Sequence, residues 1–281
     1  MKKVISIVLI LASLMSFVLV LSACGSSQEE KDYISVGLEC GYAPYNWTQT
    51  DSSDGAVKIY NADGYANGYD IMIAKKIAES MGKKLRVYKY EWDSLIPGVT
   101  TSALDFIIAG MSPTEKRKQA IDFSDVYYNG NLVIVVRTDS DYAKAKSLTD
   151  FAGAKLVAQQ GTFHETILKE QASSYGISVQ TSLDTFPLMI NALKSKAVDG
   201  YLAEEAGATA DCAANSEFTF IPLKNNTTGF KASSDDTSIA IGFKKGSKYK
   251  QAVNDILATI SQDERIELMT KATELSVNKV G

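Results

Sequence analysis

From Ile34 onward the chain alternates short apolar runs with amphipathic stretches, and it does so in two successive blocks. In the first block, residues 34–38, 85–90 and 104–109 have the length and apolar content of buried strands. Between them, residues 69–81 place Ile71, Ala74, Ile77, Ala78 and Met81 on one helical face, with Gly82 as the stop. Residues 93–102 are expected as a second helix despite Pro97 and Gly98. The second block repeats the rhythm, with strands at 132–137, 155–159, 178–181 and 199–202 and helices at 164–174 and 185–195. A late strand at 238–243 and helices at 248–260 and 263–275 close the chain. Two βαβαβ units in tandem imply an α/β protein of two lobes rather than one sheet.

The 281 residues, 45% hydrophobic and 22% charged, suffice for one large core or two modest ones. Net charge is −4, with lysine and arginine spread along the chain, so nucleic acid is not an expected partner. At the N-terminus Met1-Lys2-Lys3 precedes an apolar stretch at 4–20, and Leu21-Ser22-Ala23-Cys24-Gly25 follows at once. Small residues before that cysteine resemble the lipobox of bacterial lipoproteins. The resemblance implies a signal peptide at 1–23, cleavage before Cys24, and a diacylglyceryl and palmitate anchor on Cys24 with 24–32 as a flexible tether. An ordinary membrane-spanning anchor is the alternative for the apolar stretch. Cys40 and Cys212 are expected as two separate thiols, with a disulfide between them as the other option.

In each block a strand runs into glycine and then into a capped helix. Ser112-Pro113-Thr114-Glu115 reads as a capping box with Ser112 at the N-cap, and Thr162-Phe163-His164-Glu165 follows Gly161 in the same way. In open α/β sheets ligands sit beyond the carboxyl ends of strands, where helix N-termini offer N–H groups and the positive end of a dipole. Two such ends facing each other suit an anion. Arg117, about one turn into the first helix, adds a fork that matches a carboxylate. The plainer alternative makes Lys116, Arg117 and Lys118 a solvated basic face. Residues 47–67, rich in Asp, Ser, Gly and Asn, read as a surface hairpin or loop whose spacing does not match a calcium-binding loop.

Several quoted stretches go further together than apart. They are Gly41-Tyr42-Ala43-Pro44-Tyr45, Asn67-Gly68-Tyr69-Asp70, Glu91-Trp92-Asp93-Ser94-Leu95-Ile96-Pro97, the run 105–117, Asp122-Phe123-Ser124-Asp125-Val126-Tyr127-Tyr128, Gln160-Gly161-Thr162 and Val198-Asp199-Gly200-Tyr201. Over about residues 33–275 the chain resembles the polar amino acid family of extracellular solute-binding lipoproteins of ABC importers, bacterial solute-binding protein family 3. The resemblance implies a two-lobed type II periplasmic-binding-protein fold. Lobe 1 would comprise 33–128 and 239–281, lobe 2 would comprise 131–236, and two crossing strands near 128–131 and 236–239 would form the hinge. It implies a monomer without cofactor, held outside the cytoplasm by the lipid on Cys24, that captures an amino acid between its lobes and delivers it to the permease subunits of an importer.

By the same resemblance the ligand's α-carboxylate is held by Arg117, by backbone N–H groups of Gly110 and Ser112, and by the turn at Gly161, Thr162 and Phe163. Glu204, where the family usually has aspartate, would take the α-ammonium together with Gly110, unless Glu205 shares the role or both glutamates merely complement a helix dipole. Tyr42 and Trp92 match an aromatic pair that sandwiches the ligand, Glu39 and Gln159 would meet its side chain, and Tyr45 and Trp47 would form a rim. One carboxylate between aromatic faces favours a cation, so arginine, lysine or ornithine is expected and glutamine remains open. Cystine or a small peptide also stays open. The plainer readings are core packing for Tyr42 and Trp92 and a solvated strand end for Glu39.

An enzyme is not expected. His164, the one histidine, stands at a helix start, where capping or solvation suits it better than catalysis, and the chain holds no G-x-S-x-G elbow, phosphate loop or clustered metal ligands. Two rivals remain: an exported lyase-like enzyme of the cyclohexadienyl dehydratase type on the same scaffold, and an amino acid sensor or adhesion lipoprotein that feeds no transporter.

Overall fold

The structure is a computed structural model that describes residues 31–279. The expected signal peptide, the lipidated Cys24 and the tether up to residue 30 lie outside the described residues. Strand β1 (Tyr33–Leu38) leads into β2 (Gly41–Tyr42), β3 (Asn46–Gln49), β4 (Val57–Lys58) and β5 (Tyr65–Asn67). Helix α1 (Tyr69–Ser80), β6 (Lys84–Lys89), α2 (Trp92–Thr100), β7 (Phe106–Ile107), α3 (Glu115–Ala120) and β8 (Asp122–Asn129) follow. Then come β9 (Leu132–Arg137), β10 (Lys155–Val157), α4 (Phe163–Gln171), β11 (Ser178–Val179), α5 (Phe186–Lys194), β12 (Gly200–Glu204), α6 (Glu205–Ala214) and β13 (Phe218–Ile221). The chain returns through β14 (Ser238–Phe243), α7 (Lys250–Thr259) and α8 (Gln262–Lys279).

Two five-stranded sheets result, in the orders β6-β1-β7-β14-β8 and β11-β10-β12-β9-β13. In the first, β1 pairs in parallel with β6 and β7; in the second, β10 pairs in parallel with β11 and β12. These are the two expected βαβαβ units, each with its first strand in the middle. Every residue of β12 is buried, as are all but the first of β1, which is the mark of strands covered on both faces. The strand at 132–137 is not part of the second unit: β9 runs antiparallel to both β12 and β13. Its side chains alternate between two cores, Val133 and Val135 toward one and Leu132, Ile134 and Val136 toward the other. The chain crosses between the sheets twice. The Gly130 N–H donates to the Thr237 carbonyl at 2.8 Å, and Ser238 Oγ donates to Asn129 Oδ1 at 2.9 Å, so the two crossings are bonded to each other.

Residues 47–67 are not the loop the composition suggests. They supply most of a third, four-stranded antiparallel sheet in the order β2-β3-β5-β4. Tyr45 and Trp47 are core rather than rim, 0% and 2% exposed. Cys40 and Cys212 are both free thiols. No helix among the described residues is long and apolar enough to cross a membrane.

The first capping box is not formed, and the N-cap lies two residues further along. Helix α3 starts at Glu115, and it is the Thr114 side chain that accepts from the Arg117 backbone N–H. Ser112 lies before the helix with its buried Oγ unpartnered. Thr114→Ala is therefore expected to lower folding stability by about 1 kcal/mol, the usual worth of an N-cap, whereas Ser112→Ala should leave it nearly unchanged. Urea unfolding of both variants checks the assignment, and a reversed order of effects would restore Ser112 as the cap.

Candidate functional site

Each sheet delivers a strand end to one place. Gly110, just beyond β7, has φ +59°, and Gly161, just beyond β10, has φ +72°. Both backbones turn through the left-handed region open chiefly to glycine. A Cβ at Gly161 would also strike the Asp93 carboxylate and press on the Trp92 ring. These turns let Arg117 from α3 and the N-terminus of α4 approach each other, with Thr162 capping α4 by accepting from the Glu165 N–H. Glu165 does not complete the box on Thr162; its Oε2 accepts from the Gly161 N–H at 2.9 Å instead.

Of the residues expected to touch the ligand, all but Gly161 line a single buried cavity. Arg117, Gly110, Ser112, Thr162 and Phe163 are there, as are Glu204, Glu39, Tyr42, Trp92 and Gln159. Ala109, His164 and Phe186 complete the lining. Glu205 is absent from it and instead accepts from Asn131 Nδ2 at 3.0 Å, so the neighbouring glutamates are separated by their positions on either side of the β12–α6 junction. The room left in the cavity is about 10 Å³, that of one water molecule. An amino acid can enter only if the walls part.

Four contacts hold those walls together across the two sheets. The Tyr42 hydroxyl donates to Glu204 Oε2, and Gln159 Nε2 donates to Glu39 Oε1 at 2.8 Å. Trp92 Nε1 donates to the Gly161 carbonyl at 3.1 Å, and Arg117 Nη2 reaches the same oxygen at 3.5 Å. Arg117 Nη1 also donates to the Ser112 carbonyl at 2.9 Å, and its guanidinium lies 4.9 Å from the Trp92 ring centre. Tyr42 stacks on Phe186 at 3.9 Å. The two expected sandwiching rings thus each lie against a protein group, which must yield before a ligand can slide between them.

Burial dominates the electrostatics. It pushes the Glu39 carboxyl up to about 7, with Glu91 and Asp93 adding to the effect against Gln159 and Lys89. It pulls Arg117 down to about 10, which leaves a cation at neutral pH. Glu204 is as deeply buried, yet burial is outweighed by the nearby His164 and by the hydrogen bond from Tyr42, so its carboxyl sits below its ordinary value.

Two parts of the site were not legible in the sequence. His164 is neither solvated nor a cap: it is 3% exposed and its Nε2 lies 3.2 Å from Glu204 Oε1. The Phe163 ring packs on the His164 ring at 4.2 Å. The second is Asp70. Fully buried, it accepts from the Tyr127 hydroxyl at 2.6 Å, from Asn46 Nδ2 at 2.8 Å and from the backbone N–H of Gly110. The Gly110 N–H thus has Asp70 as a partner in this structure. An acidic residue in a first helical turn reads in sequence as a dipole complement, which hid this role. Among the described residues no group of three or more His, Cys, Asp or Glu could hold a metal ion.

A strand-end cavity between two α/β lobes, furnished with a buried cation and two carboxylates, defines a binder of small zwitterions. The profile of bacterial extracellular solute-binding proteins, family 3, matches residues 34–272, and the chain belongs to that family. The arginine-binding extracellular protein ArtP of Bacillus subtilis is 26% identical over 269 residues, covering 94% of this chain and 96% of that protein. The amino acid ABC transporter substrate-binding protein AbpA of Streptococcus pneumoniae, solved with L-arginine bound, shares 28% identity at a TM-score of 0.75 over 88% of this chain and 97% of that one. An ancestral arginine-binding protein solved with glutamine shares 27% identity at a TM-score of 0.70, over 86% and 98%.

Proposed function

We propose that this chain is the substrate-binding component of an amino acid ABC importer and that it takes a basic L-amino acid, arginine before lysine or ornithine. The observation that carries this is the presence of Arg117, Glu204 and Glu39 on one buried cavity. A zwitterion needs a cation for its carboxylate and an anion for its ammonium, and Glu39 is a second carboxylate left for a cationic side chain. Relatives that bind arginine support the choice. The protein performs no catalysis in this reading. It is anchored by lipid on Cys24 and works as a monomer, and its lobes at 33–128 with 239–281 and at 131–236 close about the crossings near 128–131 and 236–239. Closure presents both lobes to the permease, since only the closed form makes both sets of ligand contacts.

Glutamine is the second reading, and one observation favours it. With Glu39 pushed up to about 7 and already bonded to an amide, that of Gln159, the subsite can present both a donor and an acceptor to a ligand amide.

Glu39→Gln decides between them. Arginine affinity is expected to fall about tenfold, roughly 1.4 kcal/mol, while glutamine affinity changes little. Calorimetric titration of both ligands reads this out. Equal weakening of every ligand would contradict Glu39 as the selective group.

A further inference from the structure

We propose that His164 is a positioning residue for the ligand's ammonium group: it holds the Glu204 carboxylate in the absence of ligand and gives up its proton when an α-ammonium arrives. This rests on the amino acid reading above and concerns the same site. His164 is the second residue of α4, and its Nε2 stands 3.2 Å from Glu204 Oε1, close enough for an ion pair. Neither ring nitrogen has an aligned hydrogen-bond partner, so the contact is one of charge rather than of direction. The other carboxylate oxygen receives the Tyr42 hydroxyl. The Phe163 ring at 4.2 Å and the edge of Phe186 at 6.4 Å hold the imidazole where it is.

The charges around this pair make the coupling. From α3 comes Arg117, a cation; from β2, Tyr42; from the end of β1, Glu39. On the histidine's own helix Glu165 is occupied by the Gly161 N–H, Lys169 and Ser182, and on β12 the Tyr201 hydroxyl donates to Asp211. Glu204 is thus the carboxylate that the imidazole meets. When a zwitterion enters, its carboxylate answers Arg117 and its ammonium needs Glu204. An imidazolium left in place would set two cations on one buried carboxylate, where water cannot screen them. Breaking the Nε2–H bond and passing that proton to solvent removes the competitor. It also frees a lone pair on Nε2, which can accept an ammonium N–H. The same group that mimics the ligand before capture becomes an acceptor for it afterwards.

The chain has one histidine, so its ring signals in a proton NMR spectrum need no assignment. At pH 6.5, saturating arginine is expected to move them toward the neutral-form position. By calorimetry, arginine affinity in the unmodified protein should rise with pH by up to about tenfold per unit wherever binding releases this proton. Glu39 contributes a further proton for a cationic side chain. In His164→Gln the histidine part of the slope should vanish, while Glu39→Gln should keep it. Ring signals that stay still or move toward the protonated position, or an unchanged slope in His164→Gln, overturn the proposal alone. Failure of the unmodified protein to bind arginine or any other amino acid overturns it together with the reading it rests on. The NMR arm uses no substitution, so a variant that does not fold leaves the test intact.

Discussion

Arg117→Ala is expected to weaken arginine binding by at least about a hundredfold, roughly 3 kcal/mol. Arg117 is 8% exposed, sits beneath Trp92 and is the one arginine or lysine among the described residues that line the cavity. Its loss strands the ligand's carboxylate in a place without water, and a buried charge deprived of its partner forfeits its desolvation as well as the bond. Charge alone is not enough. Arg117 already gives one nitrogen to the Ser112 carbonyl, so its planar fork orients the rest of the group, and Arg117→Lys should recover only part of the affinity. Folding should suffer little, because α3 is a short helix capped by Thr114 and burial already pulls Arg117 down to about 10. Isothermal titration alongside unfolding curves separates binding from stability. Undiminished affinity in a folded Arg117→Ala protein would remove the carboxylate subsite from this cavity.

Arg117 could be found in the sequence because its cues are local: a strand, a glycine, a helix start and a basic side chain within one turn. Pairing that cue with the one at Gly161 and Thr162 was enough to put both on one cavity. The capping residue itself was misread because Ser112-Pro113-Thr114-Glu115 offers two hydroxyls, and only the backbone, extended through Thr114 at φ −60° and ψ 153°, selects the second. The third sheet was hidden for a different reason. Its strands are two to four residues long, too short for a period of two to emerge from a polar composition. Trp47 and Tyr45 looked like rim because aromatic residues beside a polar run suggest a wet edge; nothing nearby in sequence announces the layers that cover them. His164 and Asp70 depend wholly on distant partners, Glu204 for one and Tyr127 and Asn46 for the other. A titratable residue's burial is a property of the assembled fold, and a single sequence carries no mark of it.

Addition of the right amino acid at about a thousandfold excess over its dissociation constant should stabilise the protein by about 4 kcal/mol. For a domain of this size that is a rise in Tm on the order of 10 °C. The closed cavity explains why the response should be selective. With about 10 Å³ of room, the walls must part before anything enters, breaking the Tyr42 to Glu204 and Gln159 to Glu39 contacts. Re-closure is favourable only for a molecule that replaces them: a carboxylate for Arg117, an ammonium for Glu204, and a group that satisfies Glu39. Ligands missing one of the three leave a buried charge unanswered, at a cost of about 1 to 3 kcal/mol or more. Protein unfolded and refolded to remove any carried-over ligand should therefore respond to arginine, more weakly to lysine and ornithine, and hardly at all to glutamate, whose side chain would set a second carboxylate against Glu39. A response to glutamine alone would keep the binding protein and assign Glu39 to amide recognition in its protonated form. Silence across the amino acids would mean that the zwitterion is not the ligand, and that Arg117, Glu204 and His164 serve the closed fold instead.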